Sequence, residues 1–281
     1  MGNDMGYKNK IICGDCLDLL KQVPDDVVSL TITSPPYNLS IKYGTHSDNL
    51  PYSKYLVWLK NIFSEIFRVT KNGGRVAINI DAMTNRQDDK DDEYIRPIYA
   101  HLYNLMKEIG WKFRTEICWY KQNAVGRKTA WGSWLSPSNP IIRRNHEYIL
   151  IWSKGDWKLD GDKNNIDITE NEFKQWTFST WFIQPETRNL GGHPAPFPEE
   201  LVKRLLKLFS YRNDIILDPF NGIGTTSYIA KLTKRNYLGF DIDKKYCEYA
   251  QSRVDNSIDL FDLTEQKLDN NKDKHVEVNL F

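Results

Sequence analysis

Short runs of β-branched residues alternate with amphipathic stretches along most of this chain, and that rhythm restricts the fold more than any other feature. The runs at 10–13, 27–33, 74–80, 116–120, 147–152, 215–217 and 237–240 are mostly bounded by Gly, Pro, Asp or Asn, as buried strands of a parallel sheet are. Between them, residues 52–69 place Tyr55, Leu59, Ile62, Ile66 and Val69 at helical spacing, and 98–109 and 199–209 repeat the pattern. Strands and helices in alternation predict an α/β fold, a doubly wound and mostly parallel sheet.

A length of 281 residues, 40% of them hydrophobic, fills one large core, so residues 1–281 read as a single domain. Thirty-eight basic against thirty-seven acidic residues leave a net charge of +1, so any face for a polyanion has to be local. No apolar run approaches the roughly 20 residues that span a bilayer, and residues 1–10 lack the apolar centre of a secretory signal. The expectation is a cytoplasmic protein with no membrane partner. Cys13, Cys16, Cys118 and Cys247 are too scattered for a disulfide framework. Cys13 and Cys16 form a C-x-x-C with no second pair, whereas a closed structural zinc site needs four ligands, so no metal is expected.

Two stretches break the rhythm. Residues 122–144 are rich in Gly, Ser, Pro, Asn, Arg and Trp, and residues 158–192 are polar with Trp176, Trp181 and Arg188. Neither has the pattern of core, and aromatics interleaved with bases point to a functional surface. Region 122–192 is therefore set apart, with the strand 147–152 inside it. Residues 256–281 form a polar tail whose end, 276–281, alternates like an edge strand.

The first chemically informative motif is Thr33-Ser34-Pro35-Pro36-Tyr37-Asn38, at the carboxyl end of a strand, where open α/β sheets bind ligands. Two prolines fix their own φ and restrict the residue before each, so the turn is stiff. It presents carbonyl oxygens and the Ser34 hydroxyl as acceptors beside the Tyr37 ring. That set suits a planar ring bearing an amino group; a plain turn ending a strand uses the same residues. The second motif, Asp218-Pro219-Phe220-Asn221-Gly222-Ile223-Gly224-Thr225-Thr226, follows a strand and opens a helix. Its glycines admit close approach of a ligand, and helix amides suit an anion. It is neither a triphosphate loop nor a complete dinucleotide fingerprint. The next strand ends in Gly239-Phe240-Asp241, an acid placed to hold the ribose hydroxyls of an adenosine.

These two motifs, Ser34-Pro35-Pro36-Tyr37 and Asp218 to Thr226, together resemble those of the amino-methylating DNA methyltransferases of bacteria and archaea. The resemblance extends over Cys13-Gly14-Asp15, Asn72-Gly73-Gly74, Trp119-Tyr120-Lys121, His146-Glu147-Tyr148, His193 to Pro198, Gly239-Phe240-Asp241 and Tyr246-Cys247. Catalytic motif first and cofactor motif last is the permuted order of the beta class. The resemblance implies S-adenosyl-L-methionine as cofactor, lined by Asp218, Phe220, Gly222, Gly224, Thr225 and Thr226, with Asp241 on the ribose, Asp15 near the adenine amino group and Phe197 over the methionine end. For Phe197 the plainer role is to start the helix after it, and for His193 a turn contact.

The implied catalytic group is Ser34, Pro35, Pro36 and Tyr37. An exocyclic amine conjugated to a base ring is a poor nucleophile, and accepting both its hydrogens, by Ser34 and the Pro35 carbonyl, returns electron density to nitrogen. The substrate is double-stranded DNA with the base flipped out and stacked on Tyr37. Serine at position 34 resembles the branch that methylates cytosine N4; adenine N6 is the alternative. A non-catalytic DNA- or cofactor-binding relative and an RNA or protein methyltransferase are the competing classes. Region 122–192 becomes the target-recognition segment, with Arg127, Lys128, Trp131, Trp134, Arg143, Arg144 and Arg188 as DNA contacts, against a solvated loop whose aromatics cover a core edge. A separate restriction endonuclease and a second copy of the chain are the further partners considered.

Overall fold

The structure, a computed structural model, describes residues 6–38, 42–43, 46–47, 50–85, 95–121, 132–142, 144–188, 191–192 and 196–257. In chain order the elements are β1 (Lys10–Cys13), α1 (Cys16–Leu20), β2 (Val28–Thr33), β3 (Lys42–Tyr43), β4 (His46–Ser47), α2 (Tyr52–Val69), β5 (Thr70–Ile80), β6 (Thr84–Asn85), β7 (Ile95–Arg96) and α3 (Ile98–Ile109). They continue with β8 (Lys112–Tyr120), β9 (His146–Ser153), α4 (Glu170–Trp176), β10 (Thr180–Phe182), α5 (Glu199–Phe209), β11 (Ile215–Asp218), α6 (Thr225–Leu232), β12 (Asn236–Asp241) and α7 (Lys244–Asp255).

Eight strands form one sheet in the order β1-β12-β11-β2-β5-β9-β8-β10. All run the same way except β9, which pairs antiparallel with both β5 and β8. The doubly wound, mostly parallel sheet is thus as expected, and each predicted strand is present, β5 and β8 beginning four residues earlier than their apolar patterns do. Two apolar layers cover it. One joins Leu20, Tyr55, Leu59, Phe63, Ile66, Leu102 and Met106 to Val76, Ile78 and Trp152; the other joins Leu201, Leu205, Leu206 and Ile229 to Leu30, Ala77, Ile149 and Ile151. Cys16 belongs to the first layer, a packing role for half of the C-x-x-C.

One expectation is corrected. Within 158–192, Trp176 and Trp181 are buried rather than surface aromatics, and β10 extends the main sheet beside β8. The polarity belongs to α4, whose outer face is solvated. A capping box of Thr169 and Glu172 starts that helix, and Trp181 Nε1 donates to the Trp176 carbonyl at 3.0 Å. Among the described residues no helix is long and apolar enough to cross a membrane. The predicted edge strand at 276–281 lies outside the described residues.

Candidate active site

β2 and β11 are parallel neighbours, yet the chain leaves them in opposite directions along the sheet, through α2 to β5 and through α6 to β12. This is the topological switch point, where strand ends open a crevice. The two motifs meet there. Thr33 Oγ1 donates to Asp218 Oδ1 at 2.9 Å, Thr226 Oγ1 to Oδ2 at 2.7 Å, and the Phe220 amide to Oδ1 at 3.1 Å. Asp218 is 2% exposed, and burial outweighs these bonds enough to push its carboxyl up to about 7. Beyond it, Gly222 and Gly224 take φ of 48° and 77°, the left-handed region. A Cβ on Gly224 would lie 2.6 Å from that of Ala250, so the turn both bends and packs as only glycine allows.

Asp241, at the end of β12, accepts from the Gly222 amide at 2.8 Å and from the Asp243 amide at 2.8 Å, while burial raises its carboxyl. Two amides leave a carboxylate with acceptor capacity for two hydroxyls. Asp15 stands exposed next door, since Cys13 and Asp241 are register partners, and it caps α1 by accepting from the Leu17 amide at 2.8 Å. Two carboxylates at adjacent strand ends, over a glycine turn walled by Phe220 against Trp58 at 5.6 Å, fit an adenosine group. The hydroxyl of Thr225 turns to Arg253, which donates to it at 3.0 Å, and that of Thr226 to Asp218; both threonines hold the loop.

The proline turn is gripped from outside. The Tyr55 hydroxyl on α2 donates to the Pro36 carbonyl at 2.7 Å, and Asn38 closes the turn with φ 54° and an amide donated to the Leu50 carbonyl at 2.8 Å. Asn79 Nδ2 on β5 donates to the Tyr37 hydroxyl at 2.9 Å, and the Ser34 hydroxyl lies 3.4 Å from the same oxygen. Burial first, then the charge of Glu147, hold the Tyr37 hydroxyl well above its ordinary pKa, so it stays protonated. Among the described residues the Pro35 carbonyl accepts no hydrogen bond, which leaves it to serve a ligand.

The crevice thus has an acceptor-rich proline turn on one side and a glycine loop flanked by two carboxylates on the other. The N6/N4 family described as DNA methylase matches residues 28–252. The chain belongs to this DNA methylase family. Among its curated relatives, the type II methyltransferase M.MjaVI of Methanocaldococcus jannaschii is 36% identical over 166 residues, covering 59% of this chain and 81% of the relative. The type II methyltransferase M.HpaI of Haemophilus parainfluenzae is 29% identical over 271 residues, covering 92% and 78%. The candidate DNA modification methylase TTHA0409 of Thermus thermophilus, solved in complex with S-adenosyl-L-methionine, superposes with a TM-score of 0.70 at 27% identity over 88% of this chain and 93% of that one.

In this methylase the predicted base-side and cofactor-side residues converge on one sheet edge. Phe197 is half-buried against the second apolar layer, just before α5. The predicted DNA contacts divide. Trp134 is 65% exposed; Arg188 is exposed but holds Glu186 at 2.6 Å; Arg144 is tied to Asp81 at 3.0 Å, at the end of β5. Arg127, Lys128, Trp131 and Arg143, with His193, lie outside the described residues. Sequence reasoning missed the supports of the turn: Tyr55, assigned only to core, and Asn79, a polar residue inside an apolar run. That interruption was the available signal, because a buried amide needs partners.

Proposed function

We propose that this methylase transfers a methyl group from S-adenosyl-L-methionine to the exocyclic N4 of a cytosine flipped out of duplex DNA. The observation that carries the reading is the Thr33–Asp218 bond, which ties the amine-accepting turn to the cofactor loop at the switch point. Asp218, Phe220, Gly222, Gly224, Thr225 and Thr226 shape the cofactor side, Asp241 and Asp15 take the ribose and adenine, and Phe197 closes the methionine end. Bound there, the cofactor supplies a methyl group activated by its sulfonium. The chain's own work is to orient the amine. Ser34 and the Pro35 carbonyl accept its two hydrogens, Tyr37 offers a ring face to the base, and Pro36, anchored by Tyr55, keeps the turn from yielding. Holding reacting atoms roughly 3 to 3.5 Å apart supplies much of the rate. Unstacking the base costs a few kcal/mol. Stacking on Tyr37, worth about 1–3 kcal/mol, offsets much of that.

Region 122–192 is assigned to target recognition, with Trp134 and Arg188 among the described residues facing the DNA, while Arg144 anchors the segment to Asp81. A cognate restriction endonuclease, as a separate protein, is the partner such a methylase protects DNA against. The test is methylation of mixed-sequence duplex DNA with labelled cofactor, then nucleoside mass spectrometry and sequencing. The expected product is N4-methylcytosine at one recurring sequence. N6-methyladenine alone would reverse the base assignment, and label on glutamine peptides but not on DNA would reject the substrate class.

A further inference from the structure

Asn79 sits inside the run Val76-Ala77-Ile78-Asn79-Ile80 of β5 and is 3% exposed. Its Nδ2 serves two neighbours, donating to the Tyr37 hydroxyl at 2.9 Å and to Glu147 Oε2 at 2.6 Å. Its Oδ1 is buried without a hydrogen-bond partner. Turned the other way, the amide would set Oδ1 against the Glu147 carboxylate, acceptor against acceptor. The carboxylate thus dictates which end of the amide faces Tyr37. Ile149 on β9 is the register partner of Asn79, and Glu147, two residues away, shares its face of the sheet. Lys121 at the end of β8 forms an ion pair with Glu147, and its ammonium lies 4.4 Å from the centre of the Trp119 ring. Because Asn79 donates to it, the Tyr37 hydroxyl turns its own proton to the backbone carbonyl of Asn79, 3.4 Å away.

We propose that Glu147, charge-balanced by Lys121, is a positioning residue for methyl transfer: it fixes the Asn79 amide, which fixes the Tyr37 hydroxyl and so the ring face offered to the base. This rests on the base-side role of Tyr37 given above. The test is steady-state methylation of duplex DNA by the full chain carrying Glu147→Gln, in the unaltered and the Tyr37→Phe backgrounds. A glutamine offers either amide end, so Asn79 loses its imposed orientation. In the unaltered background kcat falls roughly tenfold to a hundredfold, as expected for misplaced reacting groups. Cofactor Kd moves by no more than about twofold, because the lost interaction lies on the base side. With Tyr37→Phe there is no hydroxyl to hold, and the same substitution changes kcat by no more than about threefold, the non-additivity expected of residues acting in series. Asn79→Asp removes the donor to Tyr37 and sets two carboxylates together, so it lowers kcat comparably. Lys121→Met shows a smaller loss with the same background dependence and decides the question if the Glu147 variant does not fold. Equal kcat losses in both backgrounds, or a matching loss of cofactor binding, would overturn the proposal. Absence of methyl transfer to DNA by the unaltered chain would instead overturn the reading on which it rests.

Discussion

The two halves of the crevice are built differently. The cofactor loop is held mainly from within its own strand–turn–helix–strand unit: Asp218 takes the hydroxyl of Thr226 and the amide of Phe220, Asp241 takes the amide of Gly222, and Thr33 bonds in from the neighbouring motif. The proline turn makes few bonds of its own and is gripped by α2 through Tyr55 and by β5 through Asn79. A damaged loop should therefore cost stability as well as binding, whereas a damaged turn should cost turnover while the fold and the cofactor site persist.

The largest expected effect breaks the loop. Asp218→Ala strands three donors, two of them buried, and urea unfolding should show a loss of about 3–5 kcal/mol. The same carboxyl gives a pH dependence. Its folded pKa is raised to about 7, so the native state binds the proton more tightly than the unfolded chain. Its contribution is full below the ordinary carboxylate pKa and is lost as pH rises through about 7. Unfolding free energy should decline between those limits, and Asp218→Asn should flatten the slope; an unchanged slope would remove Asp218 as its source.

Next comes the turn. Tyr37→Ala should lower kcat roughly tenfold to a hundredfold through lost stacking, with cofactor Kd close to unaltered. A matching loss of cofactor affinity in calorimetry would erase the distinction between the two halves. Gly224→Ala returns to the loop: a left-handed φ and a 2.6 Å approach to Ala250 should cost about 1–3 kcal/mol in thermal unfolding. Tyr55→Phe, the mildest, removes one hydrogen bond from the turn and should cost about 1 kcal/mol, seen in kcat more than in Tm.

Much of the fold is legible in the sequence. Hydrophobic period and turn punctuation located the strands of the sheet, and the two motifs marked where the chain stops at the ligand edge. What escaped were residues whose meaning is set across the sheet. β10 is three residues long, too short for alternation to register, and its Trp181 reads as a surface aromatic until β8 lies beside it. The signal for its neighbourhood was Thr169 followed by Glu172, a capping box that announces a helix where the composition suggested a loop. Asn79 and Glu147 are 68 positions apart and acquire a joint role only when β5 and β9 pair. The Arg144–Asp81 ion pair is hidden in the same way, because a basic side chain in a Gly/Pro-rich stretch carries no hint of its partner.

The reversed strand β9 has a consequence for how such a protein can change. β8 arrives at the catalytic edge with Tyr120, β9 departs from it with His146, and these two are register partners. The chain between them is thus an excursion that leaves and rejoins the sheet at one rung of the ladder. Closing such an excursion costs only about 0.6 kcal/mol more for each doubling of its length. Segments of different length and chemistry can be exchanged there while every other strand keeps its neighbours, so the chain can diversify at a single seam.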